Sequence, residues 1–148
     1  MSYKLFMYGI NPEHDADYIA QTFYVQRLGI VKRIIMVPYV NSYNGETYLS
    51  AYIDFHKWNN RSYARHFIKM LKNQPQIYLY HYFNLGWPVS LTDNTDSILN
   101  LKNGKIICTN YSQEYYKQIN WSEESSTFNL VRAEFIANQC AESVLLDC

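Results

Sequence analysis

The sequence predicts an α+β domain of order β-α-β-β-α-β, followed by a β-hairpin and a terminal helix. Three observations carry that expectation. Segments 3–10, 48–55 and 76–82 alternate apolar and polar residues with a period of two, as half-buried strands do. Two stretches between them repeat apolar residues at helical spacing, and a β-branched run at 30–37 supplies one more strand. Four strands connected this way form one antiparallel sheet, with both helices on one of its faces.

"YKLFMYGI" (3–10) places Leu5 and Met7 on one side and Lys4, Phe6 and Tyr8 on the other, and Asn11-Pro12 ends it. "HDADYIAQTFYVQRLG" (14–29) reads as a helix with carboxylates in its first turn. Ala16, Ile19, Ala20 and Phe23 form its inward stripe, and Gly29 is expected to stop it. "IVKRIIMV" (30–37) ends at Pro38, and "NSYNG" makes the loop to the next strand. In that strand Leu49, Ala51, Ile53 and Phe55 face inward, and Tyr48, Ser50, Tyr52, Asp54 and His56 face outward. Asn59 reads as the N-cap of a second helix, with Trp58 and Tyr63 at staple positions and Ala64, Phe67, Ile68 and Leu71 inward. Pro75 closes it. "QIYLYHY" (76–82) then sets Ile77 and Leu79 against Tyr78, Tyr80 and Tyr82. The arrangement is ferredoxin-like, with the fourth strand expected beside the first and the first beside the third.

Beyond 83–92 the pattern weakens. "SILNLKNGKIICT" (97–109) carries an Asn103-Gly104 turn between apolar flanks and predicts a hairpin. Residues 122–147 open with serine and glutamate and set Phe128, Val131, Phe135 and Leu145 on one broad face, which predicts a helix. The expected organisation is a domain at 1–92 and an acidic extension at 93–148 that packs on or beside it.

The net charge of zero conceals a split. Residues 1–92 hold nine Lys/Arg against five Asp/Glu, and 93–148 hold four against eight. All four histidines lie in the first part, so its positive charge grows as pH falls through their titration range. The acidic extension has two readings: an apolar side that completes the domain, or carboxylates that compete with a polyanion for the basic part. No apolar run approaches the roughly 18 residues of a spanning helix, and the start has neither the basic nor the apolar region of a secretion leader. The expectation is a chain that is neither membrane-bound nor secreted. Three cysteines without paired spacing suggest no disulfide framework and no metal site, and no cofactor motif occurs.

Catalysis finds little footing. Asp54 and His56 share a strand face, and His14, Asp15 and Asp17 open a helix, but neither group has a nucleophile, phosphate loop or metal partner at informative spacing. The aromatics are more telling. Fifteen tyrosines among 148 residues offer apolar bodies with polar tips, which suit a soluble binding surface, although AT-rich coding produces the same bias. Arg61, Arg65, Lys69 and Lys72 form a stripe on the second helix that points away from the sheet's open face and reads as a solvated surface.

With those residues in place, 3–82 resembles an RNA-recognition-motif (RRM) domain. "LFMYGI" (5–10) is similar to the family's first-strand motif, in which Phe6 holds a base-stacking position. "YLSAYIDF" (48–55) is similar to its third-strand motif at Ala51, Tyr52, Ile53 and Phe55. It departs at Tyr48 (usually basic), Leu49 (usually glycine) and Ser50 (usually aromatic). "GIVKRI" (29–34) and "AYIDFHKWN" (51–59) are more specifically similar to small RRM-like proteins of large DNA viruses of the mimivirus, phycodnavirus and marseillevirus type. The resemblance implies an RRM-like binding protein at work in the infected host cytoplasm, viral factory or virion. Single-stranded RNA or DNA would stack on Phe6, Tyr8, Tyr48, Tyr52, Tyr78 and Tyr80, with Lys4, Lys32, Arg33 and Lys57 near phosphates. The alternative is a protein-interaction or virion-assembly module that docks another chain or its own copy, its sheet face covered.

Overall fold

The computed structural model describes residues 3–93 and 106–117. The element order is β1 (Lys4–Ile10), α1 (Ala16–Val25), β2 (Gly29–Val40), β3 (Thr47–Trp58), α2 (Ser62–Asn73), β4 (Ile77–Tyr82), β5 (Leu85–Leu91), β6 (Ile107–Asn110) and α3 (Gln113–Lys117). The strands form one antiparallel six-stranded sheet in the order β4-β5-β1-β3-β2-β6. The fold is therefore α+β. Among the described residues no helix is long and apolar enough to cross a membrane.

One face of the sheet carries the core. Leu5, Met7, Ile34, Ala51, Ile53 and Val89 are fully buried there, under Ile19, Ala20 and Phe23 of α1 and Ala64 and Ile68 of α2. The helical stripes read from spacing are thus the buried ones, and each fully buried large side chain contributes roughly 1.5–3 kcal/mol. Asp15 caps α1, its carboxylate accepting the Tyr18 N–H at 2.9 Å.

Two helix ends differ from expectation. Helix α1 stops at Val25, and the left-handed residue that turns the chain is Arg27 (φ 56°) rather than Gly29. Gly29 has another duty, because a Cβ there would lie 2.9 Å from both Phe55 and Trp58. The N-cap of α2 is Arg61, and Asn59 instead holds the preceding bend by accepting the Arg61 N–H at 3.0 Å. Trp58 reaches α2 through a hydrogen bond, its indole N–H donating to Ala64 O at 2.9 Å.

The larger correction concerns the fourth strand. Segment 76–82 is a strand, but it lies at the sheet edge, and β5 fills the place beside β1. A tight turn with Phe83 at φ 45° folds β5 back against β4. Its alternation then sets Leu91 opposite Leu5 and Val89 opposite Met7, two inward apolar pairs that fix the register. Trp87, 2% exposed, completes the inward side and stacks on His81 at 3.9 Å, with His14 and Tyr18 of the α1 layer around them.

At the other edge β6 pairs with Arg33–Met36 of β2, and the residues after it clamp both α1 and β2. Tyr111 OH donates to Asp17 Oδ1 at 2.7 Å, Tyr116 OH donates to Val31 O at 2.6 Å, and the Gln21 amide donates to Tyr115 at 3.1 Å. Burial raises the pKa of all three phenols, and for Tyr111 the hydrogen bond and charge of Asp17 add to it. Strand β6 overlaps the second arm of the hairpin expected at 97–109, and the partner it has among the described residues is β2. The first half and the helix expected at 122–147 lie outside the described residues.

Candidate nucleic-acid interface

The face opposite the helices holds most of the residues singled out from sequence, because strand alternation sends them there together. In the central row Ser90, Phe6, Tyr52 and Ile35 are successive partners across β5, β1, β3 and β2. Phe6 and Tyr52 are half-buried, with ring centroids 4.8 Å apart, and Phe6 stacks on Tyr8 at 6.0 Å. Ile35 is fully buried although it faces away from the helices. The centre of this face thus sets two half-buried rings beside a fully buried Ile35, and the more exposed aromatics lie toward β4.

There the exposed rings gather. Tyr8 is 37% and Tyr78 50% exposed, and Tyr8 leans toward the start of β4 by donating to Gln76 Oε1 at 2.9 Å. Pro88 lies opposite Tyr78, one residue past the last pairing of β5 with β1, so its missing N–H breaks no ladder bond there. Gly86 lies opposite Tyr80, whose ring rests over the bare glycine; a Cβ would meet it at 3.1 Å. Tyr78 and Tyr80 are 6.3 Å apart. The expected contact of the β4 tyrosines with β1 is replaced by a wider surface in which Gly86 and Pro88 form the floor between them.

The remaining predicted residues scatter. Tyr48 pairs with Tyr39 at the far end of β3, and its hydroxyl donates to Glu46 at 2.9 Å. Lys4 faces Asp54 across β1 and β3. Arg33 is held by Asp54, with Nε at 2.9 Å and Nη2 at 2.6 Å from Oδ2, so part of its charge is already answered. Lys32 and Lys57 are exposed and flank irregularities in the β2–β3 ladder. The His56 ring is engaged with the residues after β6, its Nε2 lying 2.6 Å from Tyr111 O. Among the described residues no group of three His, Cys, Asp or Glu is arranged to hold a metal ion.

Sequence reasoning missed Pro88 and Gly86. Both residue types mask a strand, yet Trp87, Val89 and Leu91 alternate through them, and that was the available signal. No protein-family model matches the chain, and neither does a curated protein or a solved structure.

Proposed function

We propose that the chain is an RRM-like binding module that holds single-stranded RNA or DNA on the sheet face away from its helices. The observation that carries this reading is the run of rings Tyr52, Phe6 and Tyr8, continued over Pro88 and Gly86 to Tyr78 and Tyr80. Rings of this kind accept any base face, and each stacked base contributes about 1–3 kcal/mol. The strand order β5-β1-β3-β2 with two helices behind it supports a ferredoxin-like reading, in which β5 takes the fourth place and β4 is an added edge strand. Lys4, Lys32 and Lys57 would meet phosphates. The role is binding rather than catalysis, in a protein of a large DNA virus acting within the infected cell.

Titration of labelled single-stranded RNA and DNA at two salt concentrations tests this. Binding at low salt should weaken about tenfold or more in a Tyr8→Ala/Tyr78→Ala variant, which removes the most exposed rings of the run. Absence of low-salt binding, or full binding by the variant, rejects it.

A second reading rests on a different observation. Tyr82, Phe83 and Leu85 at the β4–β5 tip are 44%, 48% and 56% exposed, an apolar cluster suited to a protein partner or another copy of the chain. A Phe83→Ser/Leu85→Ser change that abolishes self-association in sedimentation would favour it.

A further inference from the structure

The stripe on α2 that reads from sequence as a solvated surface borders a cleft of about 290 Å³ on the helix side of the molecule. Arg65, Lys69 and Lys72 line it from α2, Tyr3 lines it from just before β1, and Trp58 from the end of β3. Ile68, almost fully buried, forms its apolar base. The two rings stand edge to face with centroids 6.0 Å apart, and the Trp58 ring is fixed by its hydrogen bond to Ala64 O. Lys72 Nζ lies 5.5 Å from the centre of the Tyr3 ring.

Electrostatics and shape together define what fits. The three cations recur at spacings of four and three and so share one helix side, where like charges repel. The cleft has no carboxylate in its lining, and among the described residues none of the three is in an ion pair. An anion entering the cleft would relieve that repulsion. The ring walls add a preference for a flat group, and the volume lies near the lower end of small-ligand sites, compatible with one base and its phosphate.

We infer that this cleft binds a nucleoside 5′-phosphate, its phosphate held by Arg65, Lys69 and Lys72 and its base against Tyr3 and Trp58. The site lies in the opposite layer from the sheet-face rings and is independent of them.

Titration of the full chain with AMP, GMP, CMP and UMP at low salt, followed by the shift of the Trp58 indole N–H resonance, tests the inference. At least one nucleotide should bind saturably below about 5 mM. Arg65→Ala/Lys69→Ala, both exposed positions, should weaken binding about tenfold or more, and so should removing the phosphate from the ligand. Tyr8→Ala/Tyr78→Ala, at the exposed rings of the sheet face, should leave it unchanged. Inorganic phosphate should bind more weakly than the nucleotide. The inference is overturned if no nucleotide binds, if binding survives loss of both cations, or if phosphate alone binds as tightly. It is also overturned if only the Tyr8/Tyr78 variant loses binding, which would assign the nucleotide to the sheet face.

Discussion

Arg33 and Asp54 lie directly opposite each other on β2 and β3, and the guanidinium reaches one carboxylate oxygen twice, from Nε at 2.9 Å and from Nη2 at 2.6 Å. With their side chains only 20% and 12% exposed, the pair is partly desolvated, so the carboxylate both anchors the arginine and masks its charge.

Asp54→Asn should separate those two effects. Loss of a charge-assisted bond should lower stability by about 1.5–3 kcal/mol in urea unfolding. If a nucleic-acid strand crosses this face, loss of the Asp54 negative charge should strengthen low-salt binding and steepen the salt dependence by up to roughly 0.7 in log–log slope, the increment for one more phosphate contact on a single strand. An unchanged slope would place Arg33 outside the strand's path.

Two glycines should respond to alanine for different reasons. At Gly29 the added Cβ meets Phe55 and Trp58 at 2.9 Å, and overpacking of this kind costs about 1–3 kcal/mol. At Gly45 nothing lies within 4 Å, but φ is +72°, and the left-handed backbone alone costs roughly 1–2 kcal/mol. Chemical denaturation of the two variants measures both. A compensating large-to-small change at Trp58 should recover part of the Gly29→Ala loss and none of the Gly45→Ala loss.

The tyrosine clamp predicts a specific alkaline weakness. Burial raises the folded-state pKa of Tyr111 and Tyr116 above the ordinary phenol value of 10.0. The unfolded chain therefore releases these protons first as pH rises. Their contribution is fully present below about pH 10 and declines above it, because the unfolded state then binds fewer protons than the folded one. Tyr111→Phe should flatten the fall of stability above pH 10. At neutral pH it should also cost about 1.5–3 kcal/mol, through the lost bond to Asp17. A pH profile of the unfolding midpoint for both proteins checks the two parts.

The inward half of the fold was legible because period and burial are tied so closely: Leu5 and Met7, Ala51 and Ile53, and the α1 and α2 stripes all lie where their spacing puts them. Strand β5 was not legible. Gly86 and Pro88 disfavour an extended central strand on local grounds, and only pairing with β4 and the end of the β1 ladder makes them tolerable, a condition set in three dimensions. Tyr78 and Tyr80 of β4 share the outward face their spacing predicts, but their neighbour is β5 rather than β1, for the same reason. Nor does any local pattern join Tyr3 to Trp58 and Lys72, which meet only because β1 begins where β3 ends and α2 crosses behind them.

Strand β2 runs for twelve residues, and without β6 its outer side from Arg33 to Met36 would offer a row of unpaired amides and carbonyls beside β-branched side chains. Such a row is a template on which a second molecule can lay a strand. Four residues of β6, covering that stretch and then secured by the phenols behind them, make it unavailable to a newcomer. Loosening the clamp should therefore do more than soften the fold: it should make the chain aggregate through sheet edges at concentrations the intact chain tolerates.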